Sequence, residues 1–209
     1  MKKILALVLS LATIIAVFAG CGSSSSSDNK GISASIASEP ASIDPSLNKS
    51  LDGGTYINCA FEGLTTYDKE GKIVPGTAEK WDVSADNKVY TFHIRKDAKW
   101  SDGKAVTAND FVYSWKRAID PKTASDYAYY LYFIKNGEAI NTNGADINTL
   151  GVKAINDNTL EVTLENVCPF FTEIVAFPTL VPLREDVVSK NPDKWTLDPK
   201  TYIRNGPYV

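Results

Sequence analysis

Residues 78–120 constrain the fold of this chain more than any other stretch, because a strand, a tight turn and a capped helix follow one another with few residues between them. Residues 89–94 alternate in the period-two pattern that predicts a β-strand. Tyr90, Phe92 and Ile94 fall on one face, opposite Val89, Thr91 and His93. Residues 99–103 then read as a turn.

The helix that follows is predicted from its start signal. Thr107-Ala-Asn-Asp110 has the spacing of a capping box, with Asp in place of the usual Glu. Asp120-Pro121 marks the end of the helix. The apolar residues that recur at helical spacing, and should face a core, are Phe111, Val112, Trp115, Ala118 and Ile119. Three of the four tryptophans, Trp81, Trp100 and Trp115, are assigned to core packing rather than to a ligand.

Other elements are predicted along the rest of the chain. They are a strand at 31–37, a helix at 55–64 after a Gly53-Gly54 turn, a strand at 65–68, a tyrosine-rich helix at 124–134, strands at 151–155 and 159–164 joined by a 156–158 turn, and short helices at 169–176 and 184–191. Strands and helices mix irregularly and include a hairpin. This pattern predicts a mixed α/β (α+β) fold rather than a doubly wound parallel sheet.

The N-terminus has the form of a secretory signal peptide, predicted over residues 1–20. Lys2 and Lys3 precede an apolar run at 4–17, which is shorter than the roughly 20 residues that a membrane-spanning helix needs. The small residues before Cys21 resemble a bacterial lipobox. The alternatives are an ordinary cleavage site beside an incidental cysteine, and an uncleaved anchor.

If the lipobox interpretation holds, Cys21 carries lipid and residues 21–31 form a serine-rich tether, because such a run cannot bury a core. The protein is then anchored to the extracytoplasmic face of the cell membrane through the lipid on Cys21.

Composition excludes some function classes. The formal net charge is −3 with dispersed charges, which argues against a nucleic-acid partner. Cys59 and Cys168 could pair after export, but we favour two small buried hydrophobic residues. Neither lies near a second cysteine or a histidine, so no metal site is predicted.

The sequence also lacks the common catalytic motifs, including Gly-x-Ser-x-Gly, the P-loop and Gly-x-Gly-x-x-Gly. The single histidine, His93, lies in the middle of a predicted strand, where a packed or surface role is more common than catalysis. We therefore predict no catalytic residues, no enzyme activity and no cofactor.

Several motifs in order resemble the solute-binding proteins of bacterial peptide ABC importers, the family 5 extracellular solute-binding proteins. The residues that carry the resemblance are Ser42-Ile-Asp-Pro45, Phe61-Glu-Gly-Leu64, Pro75-Gly-Thr-Ala-Glu-Lys-Trp81, Tyr90-Thr-Phe-His-Ile-Arg95, Asp97-Ala-Lys-Trp-Ser-Asp-Gly103, Val106-Thr-Ala-Asn-Asp-Phe-Val-Tyr-Ser-Trp115, Asp120-Pro-Lys-Thr-Ala-Ser125, Gly151-Val-Lys-Ala-Ile155, Thr159-Leu-Glu-Val-Thr-Leu164 and Asn205-Gly206.

The resemblance implies a periplasmic-binding-protein-like class II fold that is incomplete here. Residues 32–61 and 185–209 would form part of lobe I, and residues 62–184 a smaller α+β lobe. Family members are well over twice as long, so the chain is expected to be the N-terminal portion of a longer protein. Without the opposing lobe, tight peptide binding is not expected.

The implied function is capture of an oligopeptide ligand and its delivery to the permease subunits of an ABC importer, by a protein expected to be a monomer. Alternatives within the family are binders of a nickel chelate, an opine, a sugar or a peptide pheromone. An exported surface hydrolase or adhesin is the alternative from another class.

Two places are implied to bind ligand. One is the segment Lys49, Ser50, Leu51, Asp52 and Gly53, where similar proteins pair backbone with an extended peptide. The other is Tyr127, which falls at a tyrosine that lines the ligand cavity in similar proteins. The alternative for Tyr127 is an aromatic residue on a helix surface.

Overall fold

The computed structural model of the protein describes Ser35 and residues 37–208. The predicted signal peptide and Cys21 lie outside the described residues, as does most of the strand predicted at 31–37. Within the described residues, no helix has both the length and the apolar character that crossing a bilayer requires.

The main sheet has four antiparallel strands, β3 (Ala78–Val83), β4 (Val89–Ile94), β5 (Val152–Asn156) and β6 (Thr159–Thr163). Their order is β3-β4-β6-β5, so β4 and β6 are central. In β4 the side chains of Tyr90, Phe92 and Ile94 are buried and their neighbours are only partly so. This alternation and the 151–164 hairpin confirm the predictions made from period-two patterning.

Cross-strand pairing builds one continuous apolar face on this sheet. Trp81 lies opposite Phe92, Phe92 opposite Leu160, and Leu160 opposite Ala154. Such facing pairs are the unit from which a sheet gains stability. Trp81, at an edge strand, is only partly buried against this core.

Helix α2 (Ala108–Ile119) covers this part of the sheet and packs on β5 and β6. It begins with the predicted capping box, in which Thr107 and Asp110 bond reciprocally. Phe111, Trp115, Ala118 and Ile119 are fully buried, and Val112 partly. The core-facing stripe read from the sequence is therefore confirmed, as is the burial of Trp100.

The remaining elements are short. They are α1 (Leu51–Ala60), β1 (Thr65–Tyr67) paired antiparallel with β2 (Ile73–Pro75), α3 (Gly137–Asn143), α4 (Phe171–Ile174), α5 (Glu185–Val188) and 3-10 helices at Ala128–Phe133, Ile147–Thr149 and Pro178–Leu180. One apolar core joins residues from α1, the sheet, α2 and the segment that holds Trp195 and Tyr202.

Two helix predictions were wrong. Helix α1 begins at Leu51 rather than Thr55, so Gly53 and Gly54 lie inside it. The predicted helix at 124–134 is a 3-10 helix that begins only at Ala128. Ala124 has φ +53°, a left-handed conformation that cannot start a right-handed helix.

Candidate functional site

A cleft of about 760 Å³ opens between α1 and the segment 173–178, and residues 61–67 form its floor. Its volume is in the range typical of small-molecule sites. The α1 side presents amide, hydroxyl and apolar groups. These are contributed by Asn48, Ser50, Leu51, Gly54, Thr55 and Asn58.

The α1 wall is held by a local hydrogen-bond network. Asn48 is buried, and its Oδ1 accepts the backbone N–H of Ser50 at 3.2 Å while its Nδ2 donates to the Ser50 carbonyl at 3.1 Å. The Ser50 hydroxyl in turn accepts the N–H of Gly53 at 3.1 Å. This is an N-cap, which fixes where the helix begins and which side chains it turns toward the cleft.

Gly53 itself is required by close packing. A Cβ built there would lie 2.0 Å from Asn48 Oδ1. Sequence reasoning took the two glycines as a turn, but the first allows this close approach inside a helix.

The opposite wall is aromatic. The rings of Tyr127 and Phe177 both line the cleft and meet nearly at right angles, with centroids 5.0 Å apart. Tyr130 stacks on Phe177 at 4.2 Å, and Tyr129 stacks on Tyr130 at 4.8 Å. Desolvation raises the pKa of Tyr130. These contacts hold Tyr127 and Phe177 in a fixed orientation, because aromatic pairs favour such offset and edge-to-face geometries.

The floor is held by hydrogen bonds to the 171–174 helix and to residues behind the cleft. Thr65 Oγ1 donates to the carbonyl of Thr172 at 2.7 Å. The carboxylate of Glu62 accepts from the Arg95 guanidinium and from the Thr77 hydroxyl. Asn205 Nδ2 donates to the Glu62 carbonyl at 2.9 Å. Glu62 is therefore a neutralised and positioned member of the cleft.

The charged side chains that line the cleft are all acidic. Among the described residues that line it there is no Lys, Arg or His, and the two carboxylates are Glu62 and Glu173. Glu62 is paired with Arg95. Glu173 is exposed, and no hydrogen bond or ion pair to its carboxylate is found within the described part of the chain.

The structure brings three of the predicted site residues together. Ser50, Leu51 and Tyr127 line the same cleft, although Tyr127 is far from the other two in sequence. Lys49 lies outside the lining and reaches Asp126, next to Tyr127, at 3.8 Å. Their assignment to ligand binding stays a prediction.

Asp52 and Gly53 fall outside the lining as well. A carboxylate oxygen of Asp52 accepts a hydrogen bond from the Ser38 hydroxyl at 2.5 Å, and Gly53 packs against Asn48. The exposed backbone edge implied for this segment stays a prediction, and Leu51–Gly53 are helical. A helical backbone cannot pair along a strand-like ligand.

Sequence reasoning missed Asn48, Asn58, Glu173 and Phe177 as cleft residues. The local sequence signal that points to this wall is Asn48, which lies two residues before the Ser50 N-cap. Glu173 and Phe177 reach the cleft only through the packing of 171–178 on the floor, and no spacing in the sequence reveals it.

The reactive side chains lie elsewhere. Cys59 is exposed and Cys168 buried, and both are free thiols. The pairing alternative is therefore excluded in this structure, and burial was wrongly expected for Cys59. His93 Nε2 lies 2.7 Å from Asp82 on the sheet surface. Within the described residues, no group of His, Cys, Asp or Glu has a metal-binding arrangement.

A wide cleft lined by amides, hydroxyls and fixed aromatic rings is a candidate solute-binding site. The model of the family described as bacterial extracellular solute-binding proteins, family 5 (middle region), matches residues 72–209. The chain belongs to this family, a class of binding proteins that act outside the cytoplasm.

Known relatives agree. The oligopeptide-binding protein OppA of Bacillus subtilis is 44% identical over 98% of this chain and 38% of its own length. The probable deoxycholate-binding periplasmic protein YgiS of Escherichia coli is 44% identical over 82% of this chain and 32% of its own. The structure of Listeria monocytogenes OppA bound to peptide is 40% identical with a TM-score of 0.80, covering 82% of this chain and 34% of that one.

These matches confirm the mixed α/β fold as part of a family 5 binding protein. The chain spans about a third of the length of the relatives that it matches.

Proposed function

We propose that this chain supplies part of the ligand-binding site of an extracytoplasmic oligopeptide-binding protein that serves an ABC importer. The observation that carries the proposal is the cleft itself, a cavity of about 760 Å³ that Ser50, Leu51 and Tyr127 line together. The peptide-bound Listeria relative and the oligopeptide-binding Bacillus relative support the peptide as ligand.

The chemistry of the cleft suits a peptide. Asn58 and Thr55 are exposed on the α1 wall, and an amide and a hydroxyl can each both donate and accept hydrogen bonds. The rings of Tyr127 and Phe177 give apolar area to side chains without demanding one shape. A peptide backbone and varied side chains could therefore be held together.

Titration with a mixture of tri- to pentapeptides, followed by NMR of the 15N-labelled chain, tests this proposal. We expect amide shifts to move at residues 48–58 and 173–178, with weak affinity because the chain spans only about a third of the length of its relatives. Tyr127→Ala should reduce these shifts. Tyr132→Ala, outside both the cleft lining and the aromatic stack, is the matched control. Shifts confined to other surfaces would contradict the proposal.

An amphipathic, non-peptide solute is the second candidate. The name of the Escherichia coli relative gives it as a probable deoxycholate binder, and the fixed rings of Tyr127 and Phe177 would also pack on a flat apolar skeleton. Deoxycholate below its micellar concentration, used in the same titration, separates the two. Movement of the cleft amides by deoxycholate and not by peptides would favour this alternative.

We also propose that residues 1–20 are a signal peptide, that 21–31 form a tether and that lipid on Cys21 anchors the protein for delivery of ligand to the permease. Support comes from the extracellular character of the family. Cys21→Ala should move the protein from the membrane pellet to the soluble fraction after secretion. A variant that still pelleted would count against the anchor.

We also propose a division into two lobes. The smaller lobe comprises residues 62–184, and part of lobe I comprises residues 32–61 and 185–209. Native-state hydrogen exchange should show residues 62–184 opening as a cooperative unit separate from 185–209 if these are the lobe boundaries. Opening of both ranges together in one unit would argue against that division.

A further inference from the structure

We propose that the cleft prefers ligands that carry a cationic group, and that Glu173 is the residue that sets this preference. The inference rests on the proposed function, because it assumes that the cleft binds solute. The group recognised is an ammonium or guanidinium, supplied either by a basic side chain or by the α-amine of a peptide.

The first argument is charge. Glu62 is held by Arg95 and Thr77, so its charge is already compensated. Glu173 has no such compensation within the described residues, and no basic side chain lines the cleft. A cationic ligand therefore enters a negative field without displacing a resident cation, whereas an anionic ligand meets repulsion.

The second argument is the aromatic wall. Tyr127 and Phe177 meet at an interplanar angle of 72° and form a corner beside the same cleft. The apolar stem of a Lys or Arg side chain packs on such rings while its charged head lies over a ring face or reaches a carboxylate. A cavity lined by an exposed carboxylate and two aromatic rings is thus suited to a long cationic side chain rather than to a small metal ion.

The third argument concerns Lys49, the basic residue that precedes Ser50 and Leu51 of the cleft lining. Its ammonium lies 3.8 Å from Asp126 and stays exposed, outside the cleft lining. Exposed ion pairs of this kind contribute little to stability. The partner of Lys49 is Asp126, so Lys49 does not compensate the charge of Glu173.

The test compares matched tripeptides by NMR titration of the chain. Acetyl-Ala-Lys-Ala-amide, acetyl-Ala-norleucine-Ala-amide and acetyl-Ala-Glu-Ala-amide differ only in the central group. Free-amine Ala-norleucine-Ala-amide separates the α-amine from a side-chain cation. We expect the lysine peptide to bind about two- to fivefold more tightly than the norleucine peptide, as for an exposed ion pair, and the glutamate peptide to bind least.

Glu173→Gln should abolish the difference between the lysine and norleucine peptides. Glu138→Gln is the matched control, since Glu138 is also exposed in the first turn of a short helix but lies outside the cleft. Equal binding of all peptides, or a preference that survives Glu173→Gln, would overturn the inference while leaving the proposed function standing. If none of the peptides bound, the result would contradict both this inference and the proposed function.

Discussion

The carboxylate of Asp44 receives two hydrogen bonds from the guanidinium of Arg117, at 2.8 and 2.7 Å, and a third from the indole of Trp195 at 2.8 Å. The side chain of Asp44 is 4% exposed and that of Arg117 12%. The backbone of Asp44 also accepts the N–H groups of Leu47 and Asn48. The buried pair therefore fixes the turn that leads into the α1 wall of the cleft.

Arg117→Met should destabilise the fold by about 3 kcal/mol, because removal of one partner leaves a buried charge uncompensated. Urea unfolding measures the change. Lys116→Met is the matched control, since Lys116 makes only a peripheral hydrogen bond to Asn148 and its loss should cost less than about 0.5 kcal/mol. Equal effects of the two variants would show that the pair contributes no more than a surface contact.

The adjacent glycines of α1 should respond to alanine with opposite signs. Gly54→Ala should stabilise by about 0.5–1 kcal/mol, because a Cβ there meets Asn48 and Pro178 only at 3.7 and 3.8 Å and alanine favours the helix. Gly53→Ala should destabilise the protein by about 2 kcal/mol, because the Cβ of the alanine would overlap Asn48 Oδ1. Thermal melting of the two variants side by side is the measurement, and a shared sign would refute this account of α1.

The pH dependence of stability should contain a component from Asp186. Hydrogen bonds from Arg184 hold the pKa of Asp186 well below its usual range. A depressed native pKa stabilises above the unfolded pKa of about 3.9 and loses that contribution as the pH falls. Asp186→Asn should flatten the loss of stability below about pH 4. The change in the free energy of unfolding should stay under about 1 kcal/mol, because the Asp186 side chain is 51% exposed.

The contribution of Asp110 to stability should change with pH in the opposite direction to that of Asp186. Burial raises the pKa of Asp110, although hydrogen bonds from Thr107 and Trp100 oppose the shift. A raised native pKa favours the protonated native state, so this contribution is present at low pH and lost as the pH rises through the native pKa. Asp110→Asn should remove that decline, as urea midpoints measured from about pH 4 upward would show. An unchanged pH profile would contradict the assignment.

The two thiols of the described chain should differ sharply in reactivity. Cys59 is exposed, whereas Cys168 is buried and desolvation raises the pKa of its thiol. Native iodoacetamide labelling should modify Cys59 and spare Cys168 until urea is added, because the thiolate is the reactive form. Mass spectrometry of the labelled peptides reads this out. Protection of both thiols that only a reductant removes would indicate a disulfide instead.

The elements that were predicted correctly are those that local rules specify. Strand β4 alternates cleanly, and α2 has both a capping box and a complete apolar stripe. The start of α1 was misplaced because the need for Gly53 comes from a contact with Asn48, which no propensity scale contains. The left-handed Ala124 similarly depends on its surroundings rather than on its own preference.

The cleft could be predicted only in part, for a related reason. Its walls come from residues 48–58, 61–67, 127 and 173–181 together with Pro207, and their meeting depends on tertiary packing. Family resemblance supplied Ser50, Leu51 and Tyr127. Glu173 and Phe177 needed the folded chain, because nothing in their sequence neighbourhood sets them apart from ordinary surface residues.

The hydrogen bond from Trp195 to Asp44 joins residues 151 positions apart, and that from Asn205 to the Glu62 carbonyl joins residues 143 apart. During synthesis at about 5–20 residues per second, a ribosome needs at least several seconds between adding the two partners of each pair. The sheet and α2 can form in that interval, whereas the turn before α1 must wait with its carboxylate incompletely satisfied. The turn that holds Asp44 is therefore open to proteases and chaperones in the nascent chain until Trp195 and Asn205 emerge.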